Sequence, residues 1–350
     1  MADTLLEELR RQIRQGGPMG IGEYMMQCLS HPQHGYYMKK DPFGRAGDFV
    51  TAPEVSQMFG EMIGVWAADI WRQMGAPEAF ILLECGPGRG SLMADILRAT
   101  RHVEGFHDAV RVHLLEISPV LKEMQGAALD GHSVCWHEAL GDVPDDMPVI
   151  VIGNEFLDAL PFKSLQKGGD GWGERAVALD DAEALCFALR PLPKALQAHI
   201  PFVIQSAAAG SVSEISPARQ GFVVDVAARL RAQGGAALFV DYGHVRSAVG
   251  DTFQGLKDNA YADVLSAPGD VDLTSHVDFE ALVQDVPEGV TVHGPITQGA
   301  FLKGLGIEAR AAALRAAGDD GQGADVQRAL HRLVAPSQMG ELFKVIVLSV

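Results

Sequence analysis

The sequence lacks any run of about 18 consecutive apolar residues, which excludes an ordinary membrane-spanning helix, so no membrane insertion is expected. It is also poor in positive charge: Lys and Arg total 28 against 45 Asp and Glu, which gives a formal net charge of −17. Nucleic-acid binding depends on cations that replace the counterions of the phosphates, so no nucleic-acid partner is expected. A basic peptide or protein substrate would suit the negative electrostatic field of this chain better, although an acidic surface can also serve solubility alone.

Cysteine is scarce as well. The four cysteines, Cys28, Cys85, Cys135 and Cys186, lie far apart and form no CxxC pair. This spacing favours a reducing compartment and argues against a structural zinc, so no metal site is predicted. The first residues, MADTLLEELRRQI, lack the apolar centre of a secretory signal and carry acids, unlike a typical transit peptide. We therefore expect an ordinary helix at this position and a protein of the cytoplasm.

The order of helical and apolar patterns predicts the fold. Helical patterns at 4–15, 21–29 and 55–74 indicate an N-terminal helical cap with a lid loop over residues 1–75. The strands predicted after the cap are 79–84, 110–116, 134–136, 148–153, 236–241, 291–293 and 342–349. Apolar strands that alternate with helices indicate a parallel sheet covered on both faces. The prediction is an α/β fold with a doubly wound, Rossmann-like core at 76–350, an inserted lid at about 161–221 and a second insertion at about 247–278.

A glycine-rich loop, ECGPGRGS, separates the first core strand from a helix. Its Gly86, Gly88 and Gly90 allow the backbone to turn with positive φ and to approach a ligand closely. The amides that open the helix can then meet a carboxylate, and Glu84 at the strand tip can accept hydrogen bonds from a cationic amino group. The alternative is a plain strand-to-helix turn, because a glycine loop alone is a weak signal.

A second acid, Glu116, ends the next strand, and Ile117 beside it is a further candidate cofactor contact. Ligands of open α/β sheets bind beyond the carboxyl ends of the strands, where two carboxylate oxygens can hold both hydroxyls of a ribose. A dinucleotide dehydrogenase would have its third glycine where Ser91 stands, whereas here the third glycine is Gly90. The loop and the second acid together favour S-adenosyl-L-methionine (SAM) over NAD as the cofactor.

Seven segments, in order along the chain, resemble one known family. They are GDFVTAPEVSQMFGE (47–61), ECGPGRGSLMADILRA (84–99), HLLEISPVL (113–121), NEFLDALPF (154–162), VDYGH (240–244), VDLTSHVDF (271–279) and MGELFKVIV (339–347). With them the chain resembles the MidA-type SAM-dependent methyltransferases, the mitochondrial complex I assembly-factor family. The resemblance covers nearly the whole chain, and NEFLDALPF and GDFVTAPE are much more specific than the glycine loop.

The resemblance implies a class I methyltransferase core with SAM as cofactor. It also implies N-methylation of an arginine in a subunit of respiratory complex I, in support of assembly of the complex. It further suggests a cytoplasmic bacterial member, because no organelle-targeting segment is recognisable. Cys85 and Ser91 stand where similar proteins often have an apolar residue and threonine, and both changes are small enough to leave cofactor binding expected.

Candidate catalytic residues follow the later core strands. Methyl transfer needs an acceptor aligned with the S–CH₃ bond and shielded from water, and a guanidinium acceptor also needs a group that orients it and takes a proton. Carboxylates do both, so Glu155 is the first candidate and Asp158 the second, with Asn154 as a contact of the nucleophile or the cofactor amine. Glu155 could instead cap the next helix. Tyr242 is a candidate lining of the cleft and His276 a second proton acceptor, although a lone histidine beside apolar residues is more often structural.

Further candidate cofactor contacts lie on two loops. Asp48 and Thr51 are predicted to bind the cofactor tail while Phe49 excludes water. The alternatives are a core position for Phe49 and a helix cap for Thr51. After the third core strand, Trp136 and His137 are predicted beside the adenine, with a core role as the alternative for Trp136.

Three other functions stay open at this point. A methyltransferase could act on a small molecule, a non-catalytic assembly or binding protein could keep the pocket, and an NAD-linked oxidoreductase is disfavoured by the loop spacing. The oligomeric state is also open, with a homodimer as one option.

Overall fold

The computed structural model describes residues 4–39 and 51–350. Its strands are β1 (Met19–Gly20), β2 (Phe80–Cys85), β3 (Val110–Leu115), β4 (Val134–His137), β5 (Val149–Asn154), β6 (Lys163–Lys167), β7 (Trp172–Leu179), β8 (Leu185–Pro191), β9 (Val212–Ile215), β10 (Gly235–His244), β11 (Gln254–Lys257), β12 (Ala260–Ala262), β13 (Asp272–Thr274), β14 (Val277–Asp278), β15 (Thr291–Thr297) and β16 (Phe343–Ser349). Its α-helices are α1 (Leu5–Gly16), α2 (Ile21–Ser30), α3 (Tyr36–Lys39), α4 (Ala52–Val55), α5 (Gln57–Gln73), α6 (Ser91–Thr100), α7 (Phe106–Ala109), α8 (Pro119–Ala128), α9 (Lys194–Gln197), α10 (Pro217–Gln233), α11 (Phe279–Leu282), α12 (Gln298–Gly304), α13 (Ile307–Ala317), α14 (Asp320–Val334) and α15 (Met339–Leu342).

The main sheet has the strand order β15-β16-β10-β5-β2-β3-β4. Strands β4, β3, β2, β5 and β10 run parallel to one another. Strand β16 is antiparallel to both β10 and β15, which the sequence pattern did not predict. The predicted doubly wound α/β fold is confirmed, and all seven predicted core strands exist, with those at 236–241 and 291–293 longer than expected.

Helices cover both faces of this sheet, and this burial explains the near-continuous apolar strands. Every residue of β2 and β5 is buried. One face packs in a core cluster with α5, α6, α13 and α14, and the other packs with α10 and α11. Burial of both faces leaves the strand ends as the places where polar side chains can gather.

The N-terminal helix begins where its sequence provides a cap. The Thr4 side chain accepts a hydrogen bond from the Glu7 amide, and the Glu7 carboxylate accepts from the Thr4 amide, which satisfies two amides of the first turn. Leu5, Leu9 and Ile13 recur at helical spacing and are buried. This confirms the helix predicted at 4–15. None of the described helices combines the length and the apolarity needed to cross a bilayer.

The two predicted insertions contain sheets of their own. Strands β6, β7, β8 and β9 form one small sheet with β1, and β12, β11 and β13 form another in that order. Helices α1 and α2 pack in one apolar cluster with β7 and β13, whereas α5 packs in the core of the main sheet. The division into a cap of residues 1–75 and a core of residues 76–350 stays a prediction.

Candidate functional site

A cavity of about 760 Å³ opens at the carboxyl ends of β2, β3, β5 and β10. Its lining is rich in carboxylates. They belong to Glu54, Glu84, Glu116, Glu138, Glu155, Asp158, Asp225 and Asp272. Arg89 is the one lysine or arginine that lines it among the residues with described positions. The cavity therefore presents a surface that favours cationic ligands.

The glycine loop forms one wall of this cavity. Gly86, Gly88 and Gly90 have φ values of 63°, 54° and 84°, in the left-handed region that glycine occupies without steric cost. A Cβ atom on Gly86 would lie 2.9 Å from a ring carbon of Phe156, another residue of the lining. Gly86 is thus packed closely against Phe156, and the three glycines let the loop turn tightly along the cavity wall at the start of α6.

Glu84 lies behind this loop and is almost fully buried. Its Oε2 atom has no hydrogen-bond partner, and burial, with Glu116 nearby, raises the pKa of the carboxyl to about 8. A cationic ligand group would supply the missing donor and stabilise the ionised form. The geometry therefore fits the predicted contact with the amino group of SAM.

Glu116 at the end of β3 is held in place by its own loop. Its Oε1 atom accepts hydrogen bonds from the amides of Ile117 and Ser118, both at 2.8 Å. Among the described residues its Oε2 atom accepts one hydrogen bond, from Gln125 Nε2 at 3.1 Å, which leaves acceptor capacity for ligand hydroxyls. Ile117 is 43% exposed and lines the cavity.

Gln125 is a site residue that the sequence analysis missed. It lies fully buried on α8. Its Nε2 atom donates to Glu116 at 3.1 Å and to the Gly88 carbonyl at 2.8 Å. Its Oε1 atom accepts from Trp136 Nε1 at 2.8 Å. One side chain therefore fixes the glycine loop relative to the second acid. Nothing in the sequence signalled this role beyond a glutamine within a helical pattern.

The structure places Trp136 and His137 differently from the prediction. Neither lines the cavity: the Trp136 indole bonds to Gln125, and the His137 ring stacks on His113 with 2.8 Å between ring nitrogens. The part of the cavity beyond β4 is lined by residues 138–141 instead. The cavity therefore reaches the loop that follows β4, whereas these two side chains are outside its lining.

Of the predicted lid contacts, Thr51 is described, whereas Asp48 and Phe49 lie outside the described residues. Thr51 precedes α4, makes no side-chain capping hydrogen bond and lines the cavity. On the same wall Ser91 Oγ donates to Glu54 Oε1 at 2.6 Å, which links α4 to the start of α6. Thr51 is therefore in position to contact a ligand.

Glu155 follows β5 in an unusual backbone conformation. Its φ is +50°, a region that costs free energy for a residue with a side chain and is typical of functional sites. Its Oε1 atom accepts from the amide of Ala52 at 3.0 Å and from Asn154 Nδ2 at 3.2 Å, while Asn154 Oδ1 is buried without a partner. Burial raises the pKa of Glu155 to about 7. The next element after β5 is strand β6, so Glu155 does not cap the next helix; its bond from Ala52 instead caps the first amide of α4.

Asp158 lies close to Glu155 and takes part in a buried polar cluster. Its Oδ2 atom accepts from the Tyr242 hydroxyl at 2.6 Å and from Thr274 Oγ1 at 3.0 Å, whereas its Oδ1 atom is buried without a partner. Burial raises the pKa of Asp158. Burial and the nearby Asp158 carboxyl together raise the pKa of Tyr242. Tyr242 thus remains a neutral donor and orients one oxygen of Asp158.

Two further buried ionisable side chains, Asp241 and Arg219, support this cluster and were not predicted. Asp241 accepts hydrogen bonds from the amides of Leu157 and Asp158, at 2.9 and 3.2 Å. Arg219 on α10 is 4% exposed and donates to the carbonyls of Asp158 and His276, both at 2.8 Å. Its guanidinium joins the loop after β5 to the loop after β13, so two distant segments meet at fixed positions.

His276 also lines the cavity, with its ring at right angles to the Tyr242 ring and 5.5 Å between centroids. Burial, with His244 and Arg219 nearby, lowers its pKa, so the ring is neutral at pH 7 and able to accept a proton. Its carbonyl bonds to Arg219, so a structural role fits the geometry equally well. No group of three or more His, Cys, Asp or Glu side chains in the described parts of the chain is arranged to hold a metal ion.

Comparison with known proteins identifies the family. Residues 62–296 match the family model described as putative S-adenosyl-L-methionine-dependent methyltransferase. A similar curated protein is protein arginine methyltransferase NDUFAF7, mitochondrial, from Xenopus laevis, 36% identical over 98% of this chain and 84% of its own length. The human protein of the same name is 35% identical, over 97% of this chain and 82% of its own length.

A solved structure shows the same fold with a ligand. The crystal structure of a Burkholderia thailandensis protein bound to S-adenosyl-homocysteine superimposes with a TM-score of 0.87 and 31% identity, covering 99% of this chain and 92% of that one. A native structure from the same organism gives a TM-score of 0.83 and 30% identity. The ligand of the first structure is SAM without its methyl group.

The comparisons overturn one expectation from the sequence. The curated relatives from frog, human and fly are mitochondrial proteins, which contradicts the prediction of a cytoplasmic bacterial protein. That prediction depended on the composition of the first residues, which is a weak guide to location because targeting segments vary in sequence.

Proposed function

Because this chain belongs to the S-adenosyl-L-methionine-dependent methyltransferase family and uses SAM as its methyl donor, we propose that its acceptor is an arginine guanidinium of a protein. The observation that carries the proposal is the pair of buried acceptor oxygens, Asp158 Oδ1 and Asn154 Oδ1, which lack partners beside Glu155. A planar cation with several N–H donors complements such a group. The relatives named as protein arginine methyltransferases support the same acceptor.

The proposed binding of SAM involves the glycine loop, its flanking acids and Thr51. Glu84 holds the amino group and Glu116 holds the ribose hydroxyls, while Gln125 keeps the loop and Glu116 at a fixed separation. Thr51 and the backbone of Gly88 face the same space. When bound, SAM supplies an electrophilic methyl group on a positively charged sulfur.

The acceptor is held by the acids that follow β5. Asp158 and Glu155 accept N–H bonds from the guanidinium and orient one of its nitrogens, and the buried surroundings exclude competing water. Glu155 would then take the proton that this nitrogen loses as its bond to the methyl carbon forms and the carbon–sulfur bond breaks, which would leave S-adenosyl-homocysteine. A carboxyl whose pKa lies near neutrality is suited to this step because it exchanges protons readily at working pH.

We predict that the acceptor protein is a subunit of respiratory complex I. This prediction rests on the resemblance to the assembly-factor family. Complex I purified from a strain that lacks this protein is expected to lose arginine methylation in one subunit. Wild-type protein should restore the modification, and the Glu155→Gln variant should not. Mass spectrometry of the subunits measures this, and an unaltered methylation pattern in the deletion strain would exclude complex I as the substrate.

Family membership removes two of the alternatives from the sequence analysis, the NAD-linked oxidoreductase and the non-catalytic binding protein. A small-molecule acceptor is the remaining one. It would be revealed if labelled methyl groups from SAM appeared in a metabolite fraction and never in protein.

We expect activity to decline on the acid side of neutrality. Glu155 must be ionised to orient the guanidinium and accept its proton, and its pKa is raised to about 7 by burial. As pH falls through this value the carboxylate is protonated, so kcat/KM should drop about tenfold per pH unit below the midpoint. The midpoint of the kcat profile should lie at lower pH than that of kcat/KM, because the bound guanidinium favours the ionised form of Glu155. A flat profile between pH 5 and 8, measured by methyl transfer to an arginine peptide, would contradict this role.

A further inference from the structure

The three-stranded sheet of β11, β12 and β13 forms a wall of the cavity. In its register Leu256 pairs with Tyr261 on one side and with Asp272 on the other. Residues directly opposite each other in neighbouring strands point to the same face of a sheet. All three residues line the cavity, so they form one row across the sheet that faces the ligand space.

The neighbouring pair of residues confirms that this face of the sheet points into the cavity. Gln254 pairs with Thr274, two positions along from the first row; Gln254 lines the cavity and Thr274 bonds to Asp158. On the opposite face, Leu273 and Ala262 pack into the apolar cluster of α1 and α2. The sheet is therefore anchored from behind, and its front face is fixed toward the cavity.

The face toward the cavity is polar on its inner strand, β13, and becomes more apolar and more exposed toward its outer strand, β12. The inner strand, β13, contributes Asp272, which accepts from the Tyr37 hydroxyl at 2.8 Å, and Thr274. The middle strand contributes the half-buried Leu256, and the outer strand contributes Tyr261, whose side chain is 80% exposed. Adjacent strands lie about 4.8 Å apart, so the row spans roughly 10 Å from the buried acids to solvent.

We infer that this face, which we call the acceptor wall, binds an extended segment of the protein substrate and selects an apolar side chain next to the methylated arginine. The inference rests on the proposed function. With the guanidinium at the inner acids, an extended arginine side chain runs along the row and places its backbone near Leu256 and Tyr261. The side chain of the neighbouring residue then covers apolar surface that would otherwise face water.

Other exposed apolar residues of the cavity lining support this occupant. Met26 and Leu342 are 41% and 46% exposed and line the cavity together with Tyr261. Large apolar side chains around an acidic chamber match a segment that carries one cation flanked by apolar groups. A small polar acceptor would have no use for a rim of this kind.

The test compares two peptides and two variants. One peptide has its single arginine between leucines and the other has it between serines. For the wild-type protein we expect a KM about tenfold lower for the leucine-flanked peptide. Tyr261→Ala should raise that KM about tenfold, with little change in kcat and no change for the serine-flanked peptide. Phe202→Ala is the matched control, because Phe202 is 86% exposed but does not line the cavity.

Methyl transfer and calorimetry of peptide binding in the presence of S-adenosyl-homocysteine distinguish the outcomes. Equal KM values for the two peptides, or an equal effect of both variants on KM, would show that the acceptor wall does not select the substrate segment. Neither result would contradict arginine methylation itself. Preferred binding of the leucine-flanked peptide without methylation of its arginine would support the wall and overturn the proposed function. Methylation that favours the leucine-flanked peptide, with a preference that Tyr261→Ala removes, supports both.

Discussion

Glu155→Gln is expected to lower kcat for methyl transfer on the order of 10²- to 10⁴-fold while the affinity for S-adenosyl-homocysteine stays within about twofold. A glutamine keeps the acceptor oxygen for the Ala52 amide and the Asn154 side chain, so the local structure should persist. It loses the charge that orients a guanidinium and the capacity to take its proton. Single-turnover kinetics with labelled SAM and calorimetry of the product measure the two properties separately.

Glu183→Gln provides a matched control for this variant. Glu183 also has a positive φ, +61°, but is exposed in the turn between β7 and β8, remote from the cavity lining. Any effect of a glutamine in left-handed backbone should therefore appear in both variants. Unchanged turnover of Glu155→Gln would remove this residue from the mechanism, and an equal loss in both would assign the effect to the backbone.

Gly88→Val is expected to weaken binding of S-adenosyl-homocysteine by about 100-fold or more, equivalent to ~2.7 kcal/mol. The Gly88 backbone has φ +54°, which a β-branched residue adopts only with strain. If the loop moves to relieve the strain, its amides leave the cavity and the hydrogen bond from Gln125 to the Gly88 carbonyl is lost. If it does not move, a branched side chain is fixed at the cavity wall.

Gly131→Val separates these effects from a general loss of stability. Gly131 has φ +85° in an open turn after α8, with nothing within 4 Å of an added Cβ atom. Both variants should unfold at lower temperature than the wild type, but only Gly88→Val should fail to bind in calorimetry. Normal binding by Gly88→Val would show that the glycine loop is not the cofactor cradle.

The parts of the fold that the sequence predicted are those determined by local patterns. Strands β2 and β5 are apolar throughout because both faces of the sheet are covered, and the glycine loop marks the turn after β2. Since the carboxyl ends of parallel strands meet at one edge, the positions of Glu84, Glu116 and Glu155 followed from strand order alone. The reversed direction of β16 could not be predicted, because an apolar strand has the same pattern in either direction.

The parts that the sequence did not predict depend on contacts between distant segments. Gln125 and Arg219 lie on helices and reach the site only because those helices pack beside it. Asp272 comes from an insertion whose small sheet has no strong periodic pattern. For Trp136 the position along the strand was predictable, but the direction of its side chain depended on the buried partner Gln125.

The place of β16 in the sheet has a consequence for how the protein is made. This strand, Phe343–Ser349, lies between β10 and β15, so an interior position of the sheet is filled by residues translated after all its neighbours. Until they emerge from the ribosome, β10 and β15 each expose an unpaired edge to other nascent chains, and such edges invite aggregation. A ribosome stalled before residue 343 would hold a chain with its glycine loop already synthesised but its sheet still open. Chaperone protection until β16 has emerged would therefore matter more for this protein than for one whose interior strands are made before its edge strands.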